Sequence, residues 1–355
     1  MPVNEPGHQR DETVAMQIFD LSPSLTLGRA VAQHAGCPLS PMELRPFRGG
    51  QHKARPLVSV RGHDVFVLSA LHGSEAAQRG KDSEDPSANV LSCNDLMIRL
   101  LFFIATCRDH GARRVTAVVP WLPYARKDRV TKARDPVSAR YVAQLFEAVG
   151  TDALLTVDVH NLAAFQNGFR CQTIHLDTVR LFATEIVARV TDRPPVVMSP
   201  DSGGVKRAEA LRQAVETLCN RPVGFAFMDK HRSSGRISGL LFAGEVSGCD
   251  VWIVDDMIDS GETMLQAAQA CRDRGAMSVH LVATHALGGA KALARLSAPT
   301  IDTVTITDSA TDLDGLAAKV RLTKLSVAAM LGQSLWRMHE GAAVSPVLDP
   351  TGLPP

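Results

Sequence analysis

Aromatic side chains are scarce in this sequence of 355 residues, and neither sign of charge dominates. Aromatics make up 5% of the residues, so a core has to be built mainly from aliphatic side chains. The 38 basic and 37 acidic residues leave a formal net charge of +1, which argues against a strongly basic face for nucleic acid. The 45% hydrophobic and 21% charged residues indicate a globular protein long enough for two domains.

Paired cysteines and long apolar runs are also missing. The seven cysteines are scattered without a CxxC pair, which is typical of reduced thiols in a cytoplasmic protein. No apolar run reaches the ~18 residues that indicate a membrane span. The polar start "MPVNEPGHQRDET" does not have the pattern of a secretory signal. We therefore predict a cytoplasmic protein that binds neither nucleic acid nor membrane.

Short apolar runs alternate with amphipathic segments along the chain. Runs such as "DVFVLSA", "LLTVDV", "PVVMSP" and "VWIVDD" are nearly continuous, as in strands buried on both faces of a parallel sheet. In "TMLQAAQACRDRGA" the apolar residues follow helical spacing, and Gly275 predicts the C-cap. The pattern predicts an α/β fold with ligands at the carboxyl ends of the strands. The polar residues 72–93 predict a surface loop, and residues 1–15 and 341–355 predict disordered tails.

The stretch "VWIVDDMIDSGETMLQAA", residues 251–268, concentrates acids where a strand should pass into a helix. "VWIV" predicts a buried strand and "DDMIDSGET" a loop. The N–H groups at the helix start, with the turn from Ser260 to Thr263, suit a phosphate monoester. Asp255 and Asp256 suit paired sugar hydroxyls, so together they describe a site for a pentose 5-phosphate. The alternative interpretation is an acidic turn that only complements the helix dipole.

"VDDMIDSGET" resembles the phosphoribosyl-pyrophosphate binding loop of type I phosphoribosyltransferases and of ribose-phosphate pyrophosphokinases. The second family is more similar, because six further segments match it in order. They are "VVPWLPYARKDR", "PVSARYVAQLFEAVGTDALLTVDVHN", "VVMSPDSGGVKRAEAL", "MDKHR", "THALGG" and "LSVAAMLGQSLWRM". The resemblance covers roughly residues 16–340. It implies transfer of the β,γ-diphosphoryl group of ATP to the 1-hydroxyl of ribose 5-phosphate, which releases AMP.

The resemblance also implies two similar phosphoribosyltransferase-type, Rossmann-like domains with central parallel sheets. Residues 16–177 would form the nucleotide side, completed by a closing helix at 325–340, and residues 178–324 would form the ribose 5-phosphate side. The family's active site lies between the domains and a neighbouring subunit. A homo-oligomer is therefore expected, commonly a hexamer built from dimers.

Site residues carried over from the family fall into five groups. Ribose 5-phosphate is expected at Asp255, Asp256, Asp259, Ser260, Gly261 and Thr263. ATP is expected at Phe47, Gly49, Gln51, Arg126, Lys127 and Asp128. The pyrophosphate loop contains Asp201, Gly203 and Gly204, a Mg²⁺ ion is expected at His160 and Asp201, and Lys230 and Arg232 resemble the two catalytic cations. Each has a plainer alternative: His160 as a satisfied strand-end histidine, for example, and Lys206 with Arg207 as a solvated basic pair.

The segment "RPFRGGQHKARP", residues 45–56, departs from the family pattern. Phe47 keeps the surface that stacks on adenine, but Gly49 and Gln51 replace two carboxylates that read the base and its ribose. Lys127 stands where glutamine is usual. The choice of nucleotide donor is therefore open.

Glu262 is the second departure, since glycine is common there. A carboxylate beside a bound phosphate is unfavourable unless it points away or pairs with a cation.

Two other functions share the acidic loop. A phosphoribosyltransferase would consume the diphosphate sugar and would need only one domain. A non-catalytic regulatory paralogue would bind a true synthase and would be expected to lose catalytic residues, whereas His160, Lys230 and Arg232 are all present.

Overall fold

Two parallel sheets form the framework of the chain. The computed structural model describes residues 14–73, 91–233, 236–310 and 321–348. The first seven strands are β1 (Met16–Asp20), β2 (Met42–Pro46), β3 (His52–Pro56), β4 (Asp64–Leu68), β5 (Arg114–Val118), β6 (Ala153–Val157) and β7 (Gln172–Leu176). The first sheet is entirely parallel and has the order β1-β4-β5-β6-β7. Strands β2 and β3 form a separate antiparallel hairpin.

The second sheet has seven strands. They are β8 (Pro195–Ser199), β9 (Gly224–Ser233), β10 (Arg236–Ala243), β11 (Asp250–Ile258), β12 (Ser278–Ala286), β13 (Thr303–Thr307) and β14 (Leu322–Leu325). Their order is β10-β9-β8-β11-β12-β13-β14, and only the pair β9 and β10 is antiparallel. The predicted α/β fold with central parallel sheets is thereby confirmed.

Helices cover the faces of both sheets. They are α1 (Thr26–His34), α2 (Cys93–Asp109), α3 (Ser138–Ala148), α4 (Leu162–Gly168), α5 (Val179–Val187), α6 (Val205–Cys219), α7 (Glu262–Asp273), α8 (Ala290–Leu296) and α9 (Ala328–His339). Helix α7 ends where predicted, with Gly275 at φ +85° just beyond it. Helix α9 returns from the second sheet and packs on α1. None of the helices in the described ranges has the length and apolar character needed to span a lipid bilayer.

The continuous apolar runs have a simple structural cause. In β4, Val65 and Val67 enter the core on one face of the first sheet, and Phe66 and Leu68 enter the core on the other. Strand β11 behaves in the same way in the second sheet. Because side chains alternate along a strand, burial on both faces favours apolar residues at successive positions of the strand. The first polar residues after these runs therefore collect at the carboxyl ends of the sheets.

Three predictions about irregular segments have different outcomes. The prediction of a disordered tail is wrong for residues 341–348. Val344 and Leu348 pack against the apolar core that the first sheet forms with α1 and α9, and Val347 is buried. Residues 74–90 of the predicted polar loop lie outside the described residues, and helix α2 already begins at Cys93. The first tail lies outside them too, up to residue 13.

Candidate active site at the carboxyl ends of the two sheets

The acidic stretch after Val254 is divided between a strand and a turn. We predicted a loop from Asp255, but β11 continues to Ile258 because β12 pairs with it that far. Residues 259–261, the acidic turn, then lead into α7. Gly261 has φ +74°, a conformation that glycine adopts without strain. The first N–H groups of α7 have no helical acceptors, so with the hydroxyls of Ser260 and Thr263 they supply donors for an anion.

Asp256 is held by a histidine from the first sheet. His160 Nδ1 lies 2.8 Å from Asp256 Oδ2, and Asp256 is only 3% exposed. Burial acts to raise the pKa of Asp256, but the His160 hydrogen bond and the charge of Arg207 hold it below its usual value. We predicted Asp255 and Asp256 together for paired sugar hydroxyls, and in the structure one oxygen of Asp256 is bonded to His160. As a donor through Nδ1, His160 keeps the lone pair of Nε2 for another ligand.

Asp255 has a cation beside it as well. Arg207, from the first turn of α6, places its guanidinium 3.9 Å from Asp255 Oδ1, and both side chains are 17% exposed. The interpretation of Arg207 as a solvated residue is therefore wrong, although Lys206 is exposed as that interpretation expects. Burial, and after it the charge of Asp256, raises the pKa of Asp255 well above its usual value. The pKa of Asp255 is thus raised and that of Asp256 lowered, although the two residues are adjacent.

A further acid, Asp158, completes what we call the strand-end cluster: Asp158, His160, Arg207, Asp255 and Asp256. Arg207 Nε donates to Asp158 Oδ1 at 3.3 Å, and Thr178 and Thr284 donate to Asp158 Oδ2. Sequence reasoning missed Asp158 and both threonines. For Asp158 and Thr284 the available signal was a polar residue at the end of an apolar run, in "TVDVH" and in "VATH".

The loop between β8 and α6 has internal partners for its glycines. Asp201 Oδ1 accepts the N–H groups of Gly203 at 2.9 Å and Gly204 at 3.0 Å. We predicted these N–H groups for a pyrophosphate, whereas here both donate to the Asp201 carboxylate within the loop that precedes α6. A Cβ on Gly204 would lie 2.7 Å from Ser199 Oγ, so the close packing of this loop requires glycine.

A metal ion would find few protein ligands. In the described ranges, no group of three or more His, Cys, Asp or Glu side chains is arranged to hold one. Mg²⁺ commonly takes one or two protein carboxylates and completes its shell with water and substrate phosphates. The Asp201 carboxylate and the free Nε2 of His160 fit such a partial site, and they do not fit an all-protein cage.

The residues expected on the ATP side reach the acidic turn from the first domain. Arg126 lies 3.0 Å from Asp259, and both side chains are largely exposed. Asp128 accepts a hydrogen bond of 2.6 Å from the Asn161 side chain, beside His160. Lys127 is exposed. Arg126 thus lies at the acidic turn. Asp128 lies at Asn161, the residue after His160.

The β2–β3 hairpin carries the remaining predicted ATP residues at its tip. Phe47 donates its N–H to the Gln51 carbonyl at 2.7 Å, and Gly49 has φ +75° in the turn between them. The Phe47 ring is 48% exposed. Within the described ranges, no hydrogen bond or ion pair links these three residues to the strand-end cluster.

Glu262 pairs with a cation, which is one of the two arrangements that would make a carboxylate acceptable beside a bound phosphate. Arg295, from α8, lies 2.9 Å from Glu262 Oε2 and donates to the Ser260 carbonyl at 2.8 Å. Gly261, and not Glu262, is the residue of this segment that has a positive φ.

Lys230 and Arg232 lie on β9. The backbone of β9 pairs with β10 in an antiparallel hairpin and continues the sheet beside β8. The side chains of both residues lie outside the described part of the structure.

Comparisons with known proteins agree along nearly the whole chain. Residues 16–150 match the family described as the N-terminal domain of ribose phosphate pyrophosphokinase. Residues 228–348 match the phosphoribosyl synthetase-associated domain. Ribose-phosphate pyrophosphokinases of Maricaulis maris and Granulibacter bethesdensis are 31% and 33% identical, respectively, over 94% of this chain and 100% of their own lengths.

A solved structure is similar as well. The phosphoribosylpyrophosphate synthetase of Mycobacterium smegmatis superimposes with a TM-score of 0.79 at 29% identity. The match covers 92% of this chain and 99% of that one. Both sheets are therefore included in the similarity.

Proposed function

Because this chain belongs to the ribose-phosphate pyrophosphokinase family, we propose that the strand-end cluster and the acidic turn form the site of the family's reaction. In that reaction the 1-hydroxyl of ribose 5-phosphate attacks the β-phosphorus of ATP, and AMP leaves. One observation carries the placement: two adjacent acids, half-buried Asp255 and buried Asp256, each have a cationic or histidine neighbour and lie shortly before a glycine turn and a helix N-terminus.

Ribose 5-phosphate fits the second half of this arrangement. Asp255 and the oxygen of Asp256 not bonded to His160 are acceptors for ring hydroxyls. The 5-phosphate suits the acidic turn, where α7 offers N–H groups and Ser260 and Thr263 offer hydroxyls. Arg295 neutralises Glu262 beside this position, so the one carboxylate on α7's first residue does not oppose the phosphate.

ATP fits the side that faces the first sheet. Arg126 is placed to exchange Asp259 for a phosphate, since both partners of that ion pair are exposed. The exposed Phe47 ring offers a stacking surface for a base, and Asp128 lies beside Asn161. Gly49 and Gln51 offer no carboxylate to read adenine. Incubations with GTP or CTP in place of ATP would show whether another nucleotide serves as the donor.

Mg²⁺ is the proposed cofactor. Asp158, Asp255 and Asp256 are three carboxylates beside one guanidinium, that of Arg207, which favours a divalent cation nearby. His160 Nε2 and Asp201 would hold the ion together with phosphate oxygens. When bound, it would neutralise charge on the transferred group. Lys230 and Arg232 are proposed as the cations that close on the same group.

The reaction itself is the test of this placement. Incubation with ribose 5-phosphate, ATP and Mg²⁺ should give AMP and a 1-diphosphorylated sugar without any added base. Diphosphate release that depends on a base would instead indicate a phosphoribosyltransferase. No turnover, with binding to an active synthase, would indicate a regulatory protein.

We also propose a homo-oligomer located in the cytoplasm. Phe47 on the hairpin, Leu57 just after it and Phe102 on α2 are 48%, 52% and 57% exposed, and their burial against another copy of the chain would be favourable. Sedimentation velocity would show whether the chain is a monomer, which would contradict the oligomer. All seven cysteines are free thiols, in agreement with a reducing compartment.

A further inference from the structure

Asp158 occupies an unusual position at the end of β6. Its backbone is left-handed, with φ +46°, and the residue is 6% exposed. Its carboxylate accepts from three donors: Arg207 Nε at 3.3 Å, Thr178 Oγ1 at 3.2 Å, and Thr284 Oγ1. A buried carboxylate with both oxygens satisfied is strongly fixed, because any lost partner leaves a charge unsolvated.

Two of these donors belong to the second sheet's half of the molecule. Thr284 lies near the end of β12, and Arg207 lies in the first turn of α6. A neighbouring contact joins the same two strands, since His285 Nε2 lies 3.0 Å from the Val157 carbonyl and His285 is 1% exposed. The carboxyl ends of the two sheets are therefore joined by buried polar contacts centred on Asp158.

We propose that Asp158 is a positioning residue for diphosphoryl transfer, which fixes His160 on the nucleotide side against Asp255 on the sugar side. His160 follows Asp158 by two residues, and Arg207 bridges Asp158 and Asp255. This inference rests on the proposed function of the site. Without the charge of Asp158, Arg207 would turn its full charge to Asp255, which would then be less available to a sugar hydroxyl.

A purely structural role is the rival explanation, and the chain contains a matched control. Asp250, at the amino end of β11, is 2% exposed. It accepts from Thr191 Oγ1 at 2.6 Å, Ser278 Oγ at 2.6 Å and Arg193 at 3.1 Å. It therefore has the same kinds of partner as Asp158, at the opposite end of the sheet from the strand-end cluster.

The experiment compares Asp158→Asn and Asp250→Asn with the wild type. Asparagine tolerates the left-handed backbone of Asp158, so the substitution removes mainly the charge. Both variants should unfold at lower urea concentration. Only Asp158→Asn should lower kcat, by at least about tenfold, and raise KM for ribose 5-phosphate, because small misalignments of reacting groups have large effects on rate.

A second pair of variants keeps the test independent of the charge change. Thr284→Val removes the hydroxyl that Asp158 accepts, and Thr284→Ser restores it. The valine variant should lose kcat, and the serine variant should recover most of it. Equal kcat losses in Asp158→Asn and Asp250→Asn, or equal kcat in the two Thr284 variants, would overturn the inference. Absence of product from the wild type would instead overturn the proposed function.

Discussion

Replacing Gly288 by alanine should displace the acidic turn. Gly288 follows β12, and a Cβ built on it overlaps the carbonyl oxygen of Asp259 and the Cβ of Ala292. Neither atom is the end of a flexible side chain. The Leu287 N–H donates to the Ile258 carbonyl at 2.8 Å, so the two segments are tied together just before the overlap. To relieve it, the turn has to move by roughly 1 Å, since buried atoms are already in close contact.

The expected effect on catalysis follows from that movement. A misplacement of roughly 1 Å lowers rates by about 100-fold, or about 2.7 kcal/mol of transition-state stabilisation. We expect Gly288→Ala to lose about this factor in kcat/KM for ribose 5-phosphate. The variant should stay folded with a loss of about 1–3 kcal/mol in the free energy of unfolding. Steady-state kinetics and urea unfolding measure the two quantities separately.

Gly168 provides the matched control. A Cβ there meets nothing within 4 Å, and the residue lies at the end of α4 without a positive φ. Gly168→Ala should therefore keep normal kinetics and stability. A crystal structure of Gly288→Ala would locate the displaced atoms. The reasoning is refuted if the acidic turn has moved and kcat/KM is unchanged, or if the overlap is absorbed entirely by α8 while activity is lost.

Three further predictions concern Lys230, Arg295 and Asp20, a buried acid at the end of β1. Lys230→Ala should reduce turnover by orders of magnitude with an unchanged unfolding midpoint, and near-normal turnover would remove Lys230 from the mechanism. Arg295→Ala should raise KM for ribose 5-phosphate by up to about fivefold, because Glu262 loses its cationic partner beside the phosphate. Adding Glu262→Gln should restore the wild-type KM. A double variant with the same KM as Arg295→Ala would contradict this explanation. Burial raises the pKa of Asp20 from 3.8 to about 6, so the folded protein holds this proton at a pH where the unfolded chain has lost it. The free energy of unfolding should then fall by about 3 kcal/mol as pH rises through this window, relative to Asp20→Asn, in urea titrations at pH 4 and pH 8. Parallel pH profiles of the two proteins would rule this out.

The sequence was informative where structure depends on local pattern. The apolar runs predicted the central strands, because burial on both faces favours apolar residues at successive positions. The rule that ligands gather at the carboxyl ends of parallel strands brought His160 and Asp256 into one predicted site, and they are in hydrogen-bond contact. Gly275 ended its helix as predicted, since only local backbone geometry decides that position.

Other features depend on neighbours that are distant in sequence. Strand β11 extends beyond Val254 through two acids because β12 pairs with it as far as Ile258, and that pairing is not visible in the local sequence. Arg207 looked like a solvated residue until Asp158, from the other sheet, was placed beside it. The partner of Glu262 lies on a helix that begins 28 residues later. No periodicity in the chain encodes such pairings.

The crowding of acids around α7 has a physical resolution in these pairings. Four carboxylates from residues 255–262 each have a separate cationic or histidine partner, and every partner comes from a different segment. The pairs are Asp255 with Arg207, Asp256 with His160, Asp259 with Arg126, and Glu262 with Arg295. Two of the four partners belong to the first sheet's half. The charge arrangement of the sugar-phosphate site therefore includes residues from both halves of the molecule.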